Sequence, residues 1–323
     1  MPFLSANRFF ALGKETTRGT AATPTLFVPI DQDASLKANI TWIEDKGIRG
    51  SATSIYDNIP GVRHDEFDFK GNVFADTFPV VMMGLLGTDT ITGSTAPYTH
   101  TMTLLEAATT GSQPPSYTGI DVDNITQTGG AAKQFTGGQF GDTSVSFSVD
   151  AALTYSTKIM ANAFTQVAAP TAAFSTEVFI PAWSGAISIG GIASTVLISG
   201  SLDLKRETAA IPSIGQQSPY RLWSGPLVAS GKLTFIAEAN ETAYQNALAY
   251  AHQTLTMQFT DPVSSHSVEF QMSSVQFKNP VASFGKDYVT IDVEYQTNAN
   301  ATDGIGGYSP IKFIAINSES TSY

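Results

Sequence analysis

The sequence contains no cysteine, which removes disulfide frameworks, thiol nucleophiles and cysteine-ligated zinc together. Charge is scarce as well. Asp, Glu, Lys and Arg make up 14% of the 323 residues, against roughly 25% in an ordinary soluble domain. Ser, Thr, Asn and Gln take their place. A surface so poor in charge has little like-charge repulsion to keep free copies apart. It suits a subunit covered by copies of itself, or equally a secreted β-domain with a Ser/Thr-rich surface. Basic residues are the scarcest: 17 Lys and Arg stand against 28 Asp and Glu, a net charge of −11. That argues against a duplex-binding surface, which needs cations to displace condensed counterions, but not against a surface past which DNA slides. The longest apolar run, "VVMMGLL" at 80–86, is too short to cross a bilayer. The N-terminal "MPFLSANRFFALGKETTRG" lacks the basic region and unbroken apolar run of a signal peptide. The expectation is a soluble chain with no membrane partner.

What the sequence does have is alternation. "FGDTSVSFSV" (140–149) and "FGKDYVTIDV" (284–293) each place apolar residues at every second position after Phe-Gly, the period of a half-buried strand. Three further pairs follow the same order along the chain. "LFVPI" (26–30) matches "VFIPA" (178–182), "LKANITW" (36–42) matches "ISGSLDL" (198–204), and "FDFKGNVFADTFPVVMMGLLG" (67–87) matches "LTFIAEANETAYQNALAYAHQ" (233–253). Four matches in one order predict an internal duplication.

The predicted organisation is an N-terminal arm (1–19), a first unit (20–165) with an expanded connection at 88–139, a linker (166–176), a second unit (177–317) and a polar tail (318–323). Each unit reads as strand, strand, long polar loop, strand, helix, strands, with the long loops at about 44–64 and 205–230. The first helix is expected from an N-cap at Asp76, with Pro79 in its first turn, to a C-terminal Gly87. The second is expected from Asn240 or Glu241, carrying Tyr244, Ala247, Leu248 and Ala251 at helical spacing. The fold class is mainly β: two tandem β-sandwich or partial-barrel units, each with one flanking α-helix.

No chemistry is legible. His64, His100, His252 and His266 lack metal-ligand spacing and read as loop or surface residues. "IDVDNI" (120–125) groups Asp121, Asp123 and Asn124 but lacks the glycine and distal glutamate of a calcium loop; a strand ending in an Asx turn fits better. "RHDEFDF" (63–69) groups Asp65, Glu66 and Asp68. Paired carboxylates can hydrolyse glycosides, but here they fit better as outward residues of a strand that buries Phe67 and Phe69. No enzyme and no cofactor is expected.

The stretch "NRFFALGKETTRGTAATPTLFVPI" (7–30) resembles the start of tail tube proteins of long-tailed bacteriophages. The matching positions are Gly13, Glu15, Thr16, Gly19, Thr20, Ala21 and Pro24. The rest of the resemblance lies in the pattern of both units, the duplicated version of that family's fold. It implies a structural subunit stacking as rings, three chains to a pseudo-sixfold ring, around a channel for DNA ejection. Its partners would be itself, the tape measure protein, other tail proteins, and double-stranded DNA passing without specific binding. Its place would be the virion tail, assembled in the host cytoplasm. The alternatives are a virion decoration or receptor-binding β-protein and, less favoured, a β-sandwich glycosidase using Asp65 or Glu66.

Under that resemblance, strand parity nominates the channel lining. If Val145, Phe147 and Val149 face the core, Ser144, Ser146, Ser148 and Asp150 face away. The same parity turns out Thr290, Asp292 and Glu294, Lys37, Asn39 and Thr41, and Ser199, Ser201 and Asp203. These are small, polar and on balance acidic; an ordinary solvated sheet face is the competing reading.

Overall fold

The computed structural model describes residues 4–323 except 108, 110, 126, 239–241, 286 and 287. The first half of the chain runs β1 (Phe9–Lys14), β2 (Leu26–Val28), β3 (Ser35–Asp45), β4 (Asp57–Asn72), α1 (Pro79–Leu86), β5 (Thr90–Thr92), β6 (Tyr98–Met102), β7 (Tyr117–Val122), β8 (Ala132–Ser148), β9 (Thr154–Ala161) and β10 (Thr165–Val167). The second runs β11 (Gly185–Ile189), β12 (Ile192–Ser194), β13 (Leu197–Ile211), β14 (Arg221–Ile236), α2 (Thr242–Ala249), β15 (His252–Thr260), β16 (Ser267–Ser283), β17 (Thr290–Thr297) and β18 (Lys312–Asn317). The protein is mainly β, and every strand pairing is antiparallel among the described residues.

Pairing in the first half follows one scheme: β2–β1–β7–β8, with β8 also joined to β9 and β10, and β9–β4–β3. The second half repeats it as β12–β11–β15–β16, with β16 joined to β17 and β18, and β17–β14–β13. The bulges recur too. One interrupts β3 between Ile40 and Trp42, another β13 between Arg206 and Thr208; one lies in β8 between Phe140 and Thr143, another in β16 between Lys278 and Val281.

Strand position revises two of the four sequence matches. "LKANITW" and "ISGSLDL" fall on β3 and β13, and the 67–87 and 233–253 stretches both carry a strand into a helix. The Phe-Gly pair does not correspond. Its first copy lies in β8, but in the second Phe284 and Gly285 lie past the end of β16, and the alternating part falls in β17, which occupies the place of β9. "LFVPI" enters β2, whereas "VFIPA" precedes β11 and is held by the first half, Ile180 donating to Val73 O at 3.0 Å. Period-two alternation is common to half-buried strands, so a local match slips easily to a neighbour.

Other expected segments are also more ordered than their composition suggested. Residues 57–64, 205–211 and 221–230, expected as loop, extend the β3–β4 and β13–β14 hairpins. The 88–139 segment contains β5, β6, β7 and part of β8. It is tied to the other half, where β6 pairs with β18, Met102 opposite Phe313. Helix α1 begins at Pro79 with Phe78 as its N-cap, three residues after Asp76, because a turn at 75–78 intervenes. All eight of its residues are buried, as a helix apolar on every side requires. Gly87 ends it at φ +94°, its N–H reaching Met83 O at 2.9 Å. The expected start of the second helix lies outside the described residues.

The main core cluster is shared by both halves, and a small second one gathers Ile120, Val122 and Ala132. Phe78 of the first lies 6.1 Å from Phe270 and 5.7 Å from Phe313 of the second, and Phe147 lies 5.1 Å from Phe259 (ring centroids). Neither terminal segment hangs free. Phe10, Ala11 and Leu12 of the supposed arm are buried in β1. In the supposed tail Tyr323 is buried, its hydroxyl accepting from Asn317 Nδ2 at 2.9 Å. His100 is fully buried between Asp89, 3.1 Å away, and Glu319 O, 2.9 Å away, which corrects its expected exposure.

The Gly-x-Glu-Thr-x-x-Gly stretch has a structural explanation. The buried Glu15 carboxylate accepts from Gly19 N (2.7 Å), Ser116 Oγ (2.6 Å), Thr118 Oγ1 (2.9 Å) and Gly137 N (2.8 Å). It ties its own turn to β7 and β8. Gly19 closes the turn at φ +78°, a conformation costly for residues with a Cβ. Glu15→Ala should cost about 3–5 kcal/mol, because it strands several buried donors at once. Urea denaturation checks this; a loss under about 1 kcal/mol would contradict it.

Candidate channel wall

Strands of both halves join side by side in the order β3–β4–β9–β8–β13–β14–β17–β16. The join is β8 to β13, where Ser148, Phe147, Ser146, Val145, Ser144 and Thr143 face Ser199, Gly200, Ser201, Leu202, Asp203 and Leu204. One face of this sheet buries Phe67, Phe69, Val145, Leu202, Leu204, Leu233, Val293 and Tyr295. The other is polar because alternation leaves it so.

Eleven of the 13 nominated residues lie on these strands with at least partial exposure: Lys37, Asn39, Thr41, Ser144, Ser146, Ser148, Ser199, Ser201, Asp203, Asp292 and Glu294. Ser144 donates to Asp203 at 2.6 Å across the join. Thr41 falls within the β3 bulge. Two nominations are corrected. Asp150 lies beyond the end of β8, in a turn where Val149 is also exposed, so alternation no longer fixes its side. Thr290, at the start of β17, is buried.

Sequence reasoning missed the contribution of β4, β9 and β14 to the same face. Glu66, Asp68 and Lys70 come from β4, Ser156 and Lys158 from β9, and Lys232 and Thr234 from β14. The signal was available: Phe67 and Phe69, or Leu233 and Phe235, fix the parity as Val145 and Phe147 do. These residues change the electrostatics. Lys37 meets Asp68 at 3.0 Å, Lys158 meets Glu66 at 2.7 Å, Lys232 meets Asp292 at 2.9 Å, and Lys70 meets Asp33 at 2.7 Å. Thr234 also donates to Asp292 at 2.7 Å, and Asn279 to Glu294 at 2.7 Å. Four ion pairs thus temper the expected acidic excess, while Asp203 and Glu294 keep neutral partners.

The carboxylates suspected of chemistry are occupied. Asp65 and Glu66 point to opposite faces of β4, so they cannot flank one bond. Asp65 turns inward, contrary to expectation, and is held by Arg63 at 3.0 and 2.9 Å and by Phe164 N at 2.7 Å. Asp121 is clamped by Arg8 at 2.8 and 2.9 Å, and Asp123 pairs with Lys133 at 2.6 Å. Ile125 N bonds Asp123 Oδ1 at 3.0 Å, an Asx turn as expected. Among the described residues no cluster of His, Asp or Glu could hold a metal ion, and no helix is long and apolar enough to cross a membrane.

A family model for phage tail tube proteins matches residues 5–297. The chain belongs to the phage tail tube protein family. No curated protein matches the sequence. Membership makes this a structural protein of the virion tail and not an enzyme, one that assembles with itself and with other tail proteins. The match takes in both halves of this tail tube protein and the whole eight-stranded sheet.

The ion pairs on the face carry a modest, pH-dependent stability. Burial alone would raise the Glu66 carboxyl, but Lys158, Asn39 and His64 outweigh it and hold its pKa below the usual 4.5. A lowered acid pKa stabilises the fold above the ordinary value and loses that contribution as pH falls through the folded value. Glu66→Gln should therefore cost up to about 1 kcal/mol at pH 7, with the difference from wild type closing below pH 4.5. Thermal melts of both proteins from pH 7 to pH 3 measure this.

Proposed function

We propose that this tail tube protein polymerises as stacked rings, with the polar face of the eight-stranded sheet lining the channel through which double-stranded DNA is ejected. The chain is read as a duplicated tube fold, so that three copies supply six equivalent units to a ring, in a long tail built around a tape measure protein. The observation that carries the reading is the join of β8 to β13. It makes one continuous sheet from two repeats of a single pairing scheme, with apolar residues on one side and small or paired polar residues on the other.

A charge-paired wall suits passage of DNA better than an acidic one would. Duplex DNA presents a phosphate charge about every 1.7 Å of helix axis. Lysines already engaged by carboxylates offer little to condense on that charge, and the carboxylates they neutralise, Glu66, Asp68 and Asp292, repel it little. The tips of the long hairpins, 46–56 and 212–220, carry the fully exposed Ile48 and Ile214, and are read as contacts between successive rings.

Electron microscopy of the purified protein tests the function: tubes or stacked rings with a bore about one DNA duplex wide are expected, and isolated monomers at high concentration would overturn it. The lining is tested separately. Replacing Asp203, Asp292 and Glu294 together by Lys should leave tubes assembled but slow DNA ejection, because it creates unpaired cations facing phosphate. Unchanged ejection kinetics from assembled mutant tails would remove these residues from the channel wall.

A further inference from the structure

Three arginines meet a carboxylate: Arg8 pairs with Asp121, Arg49 with Asp45 and Arg63 with Asp65. Arg18, Arg206 and Arg221 meet none among the described residues, in a chain where 28 acids outnumber 17 bases. Arg206 spends its donors on the main-chain carbonyls of Leu85, Gly225 and Ser112. The other two are less well met. Arg18 donates from Nη2 to Pro114 O at 2.8 Å, but its Nη1 is buried with no hydrogen-bond partner. Arg221 is exposed at the start of β14, its guanidinium 6.0 Å from the centre of the Trp223 ring. A buried donor without an acceptor is rare in a folded protein and calls for an explanation.

Both arginines line one pocket of about 300 Å³, closed by residues of both halves. The turn after β1 brings Arg18, the residue after β9 is Asn162, and the start of β14 brings Tyr220 and Arg221. A Cβ at Gly137 would stand 2.8 Å from Asn162 Nδ2, so the glycine leaves that amide open. The amide makes only a long bond, 3.4 Å, to Thr136 Oγ1. Glu15 lies behind Gly19 and Gly137, with its oxygens taken by those two N–H groups, Ser116 and Thr118. Burial and the like charge of Arg221 pull the pKa of Arg18 below its ordinary value, and Glu15 offsets them only in part. An anion between the guanidiniums would satisfy the stranded N–H and turn the repulsion into attraction.

We infer that this pocket binds a terminal phosphate, clasped between Arg18 and Arg221, with Asn162 and Tyr220 donating to its other oxygens. Phosphate suits the site better than a carboxylate. The donors come from three separate elements around a concave pocket, more than two coplanar oxygens can use, and two guanidiniums match a dianion. A duplex backbone suits it less, because each of its phosphates carries a single charge. The volume leaves room beside the phosphate for a nucleoside whose base stacks on the exposed Tyr220 ring. The source is therefore free phosphate or a mononucleotide. The site does not depend on the tube reading.

Calorimetric titration of the full-length chain with inorganic phosphate, at an ionic strength held constant with chloride, tests the site. Saturable binding of one phosphate per chain is expected, strengthening from about pH 6 to about pH 8 as phosphate loses its second proton. Arg221→Gln, at an exposed position, should weaken binding roughly tenfold or more. Arg221→Lys keeps the charge but loses the fork, and should fall between the two. In thermal melts phosphate should raise the midpoint of wild type and leave that of Arg18→Gln unmoved. Thymidine monophosphate binding more tightly than phosphate would assign a nucleotide as the source, and equal affinity would assign free phosphate. No saturable binding, binding untouched by Arg221→Gln, or acetate binding as tightly as phosphate would overturn the proposal. Displacement of phosphate by short duplex DNA at equal phosphate concentration would overturn it too, by making the pocket a contact to the DNA backbone.

Discussion

A strand that serves two neighbourhoods has to bend, and a bend frees backbone groups that burial does not forgive. Both long strands at the heart of this protein face that constraint. In β8 the register slips opposite β7, between the partners of Tyr117 and Gly119; in β16 it slips opposite β15, between the partners of Gln253 and Leu255. The main-chain N–H at each slip is taken by a buried carboxylate. Glu15 accepts from Gly137 N at 2.8 Å, and Asp303 accepts from Ser273 N at 2.6 Å. The acids arrive from different places, one before β2 and the other before β18, yet each does the same physical work. With the bend secured, the first part of β8 can pair with β7 and β10 and the second with β9 and β13, and the core follows from where those strands go.

What could be read from the sequence was local. The apolar run at 80–86 and Gly87 located α1, and the alternation of Leu36 and Leu202 located β3 and β13, because period and punctuation are properties of a few neighbouring residues. The resemblance at Gly13–Pro24 carried the family. What failed was correspondence over distance. Phe140 and Phe284 both precede Gly and an alternating run, but the first sits inside a strand and the second before one. Nothing in ten residues says which neighbour a strand will choose. The β6–β18 pairing, the β8–β13 join and the inward turn of Asp65 beside Arg63 are all decisions of that kind. The candidate face was half legible: parity gave the residues of four strands, and the lysines of β4, β9 and β14 escaped because parity was not carried to those strands.

Those lysines alter what the face can be. A lining of Asp203, Asp292 and Glu294 alone would carry unscreened negative charge into a confined space, and self-repulsion between copies would oppose assembly. Lys232 neutralises Asp292 within a few ångströms, and Lys158 does the same for Glu66, while Asp203 and Glu294 are held by the neutral Ser144 and Asn279. The low overall charge of the sequence and the pairing on this face are therefore one feature. Polar side chains keep the face wet, and paired charges keep it electrically quiet.

The two halves agree in pairing and disagree in detail, and the disagreement falls at the junction. Arg206, buried two residues past the last β8–β13 pair, donates to Leu85 O at the end of α1, to Gly225 O at 3.0 Å and to Ser112 O at 3.1 Å, and burial pulls its pKa down to about 10. Its counterpart by pairing position in β3 is Ile40. A guanidinium that satisfies helix-end carbonyls can be built once within a chain, where the partner groups fold together with it. At the counterpart position the chain carries Ile40, with the exposed Trp42 and Ile43 beyond it, and apolar surface gains on burial without needing a matched acceptor.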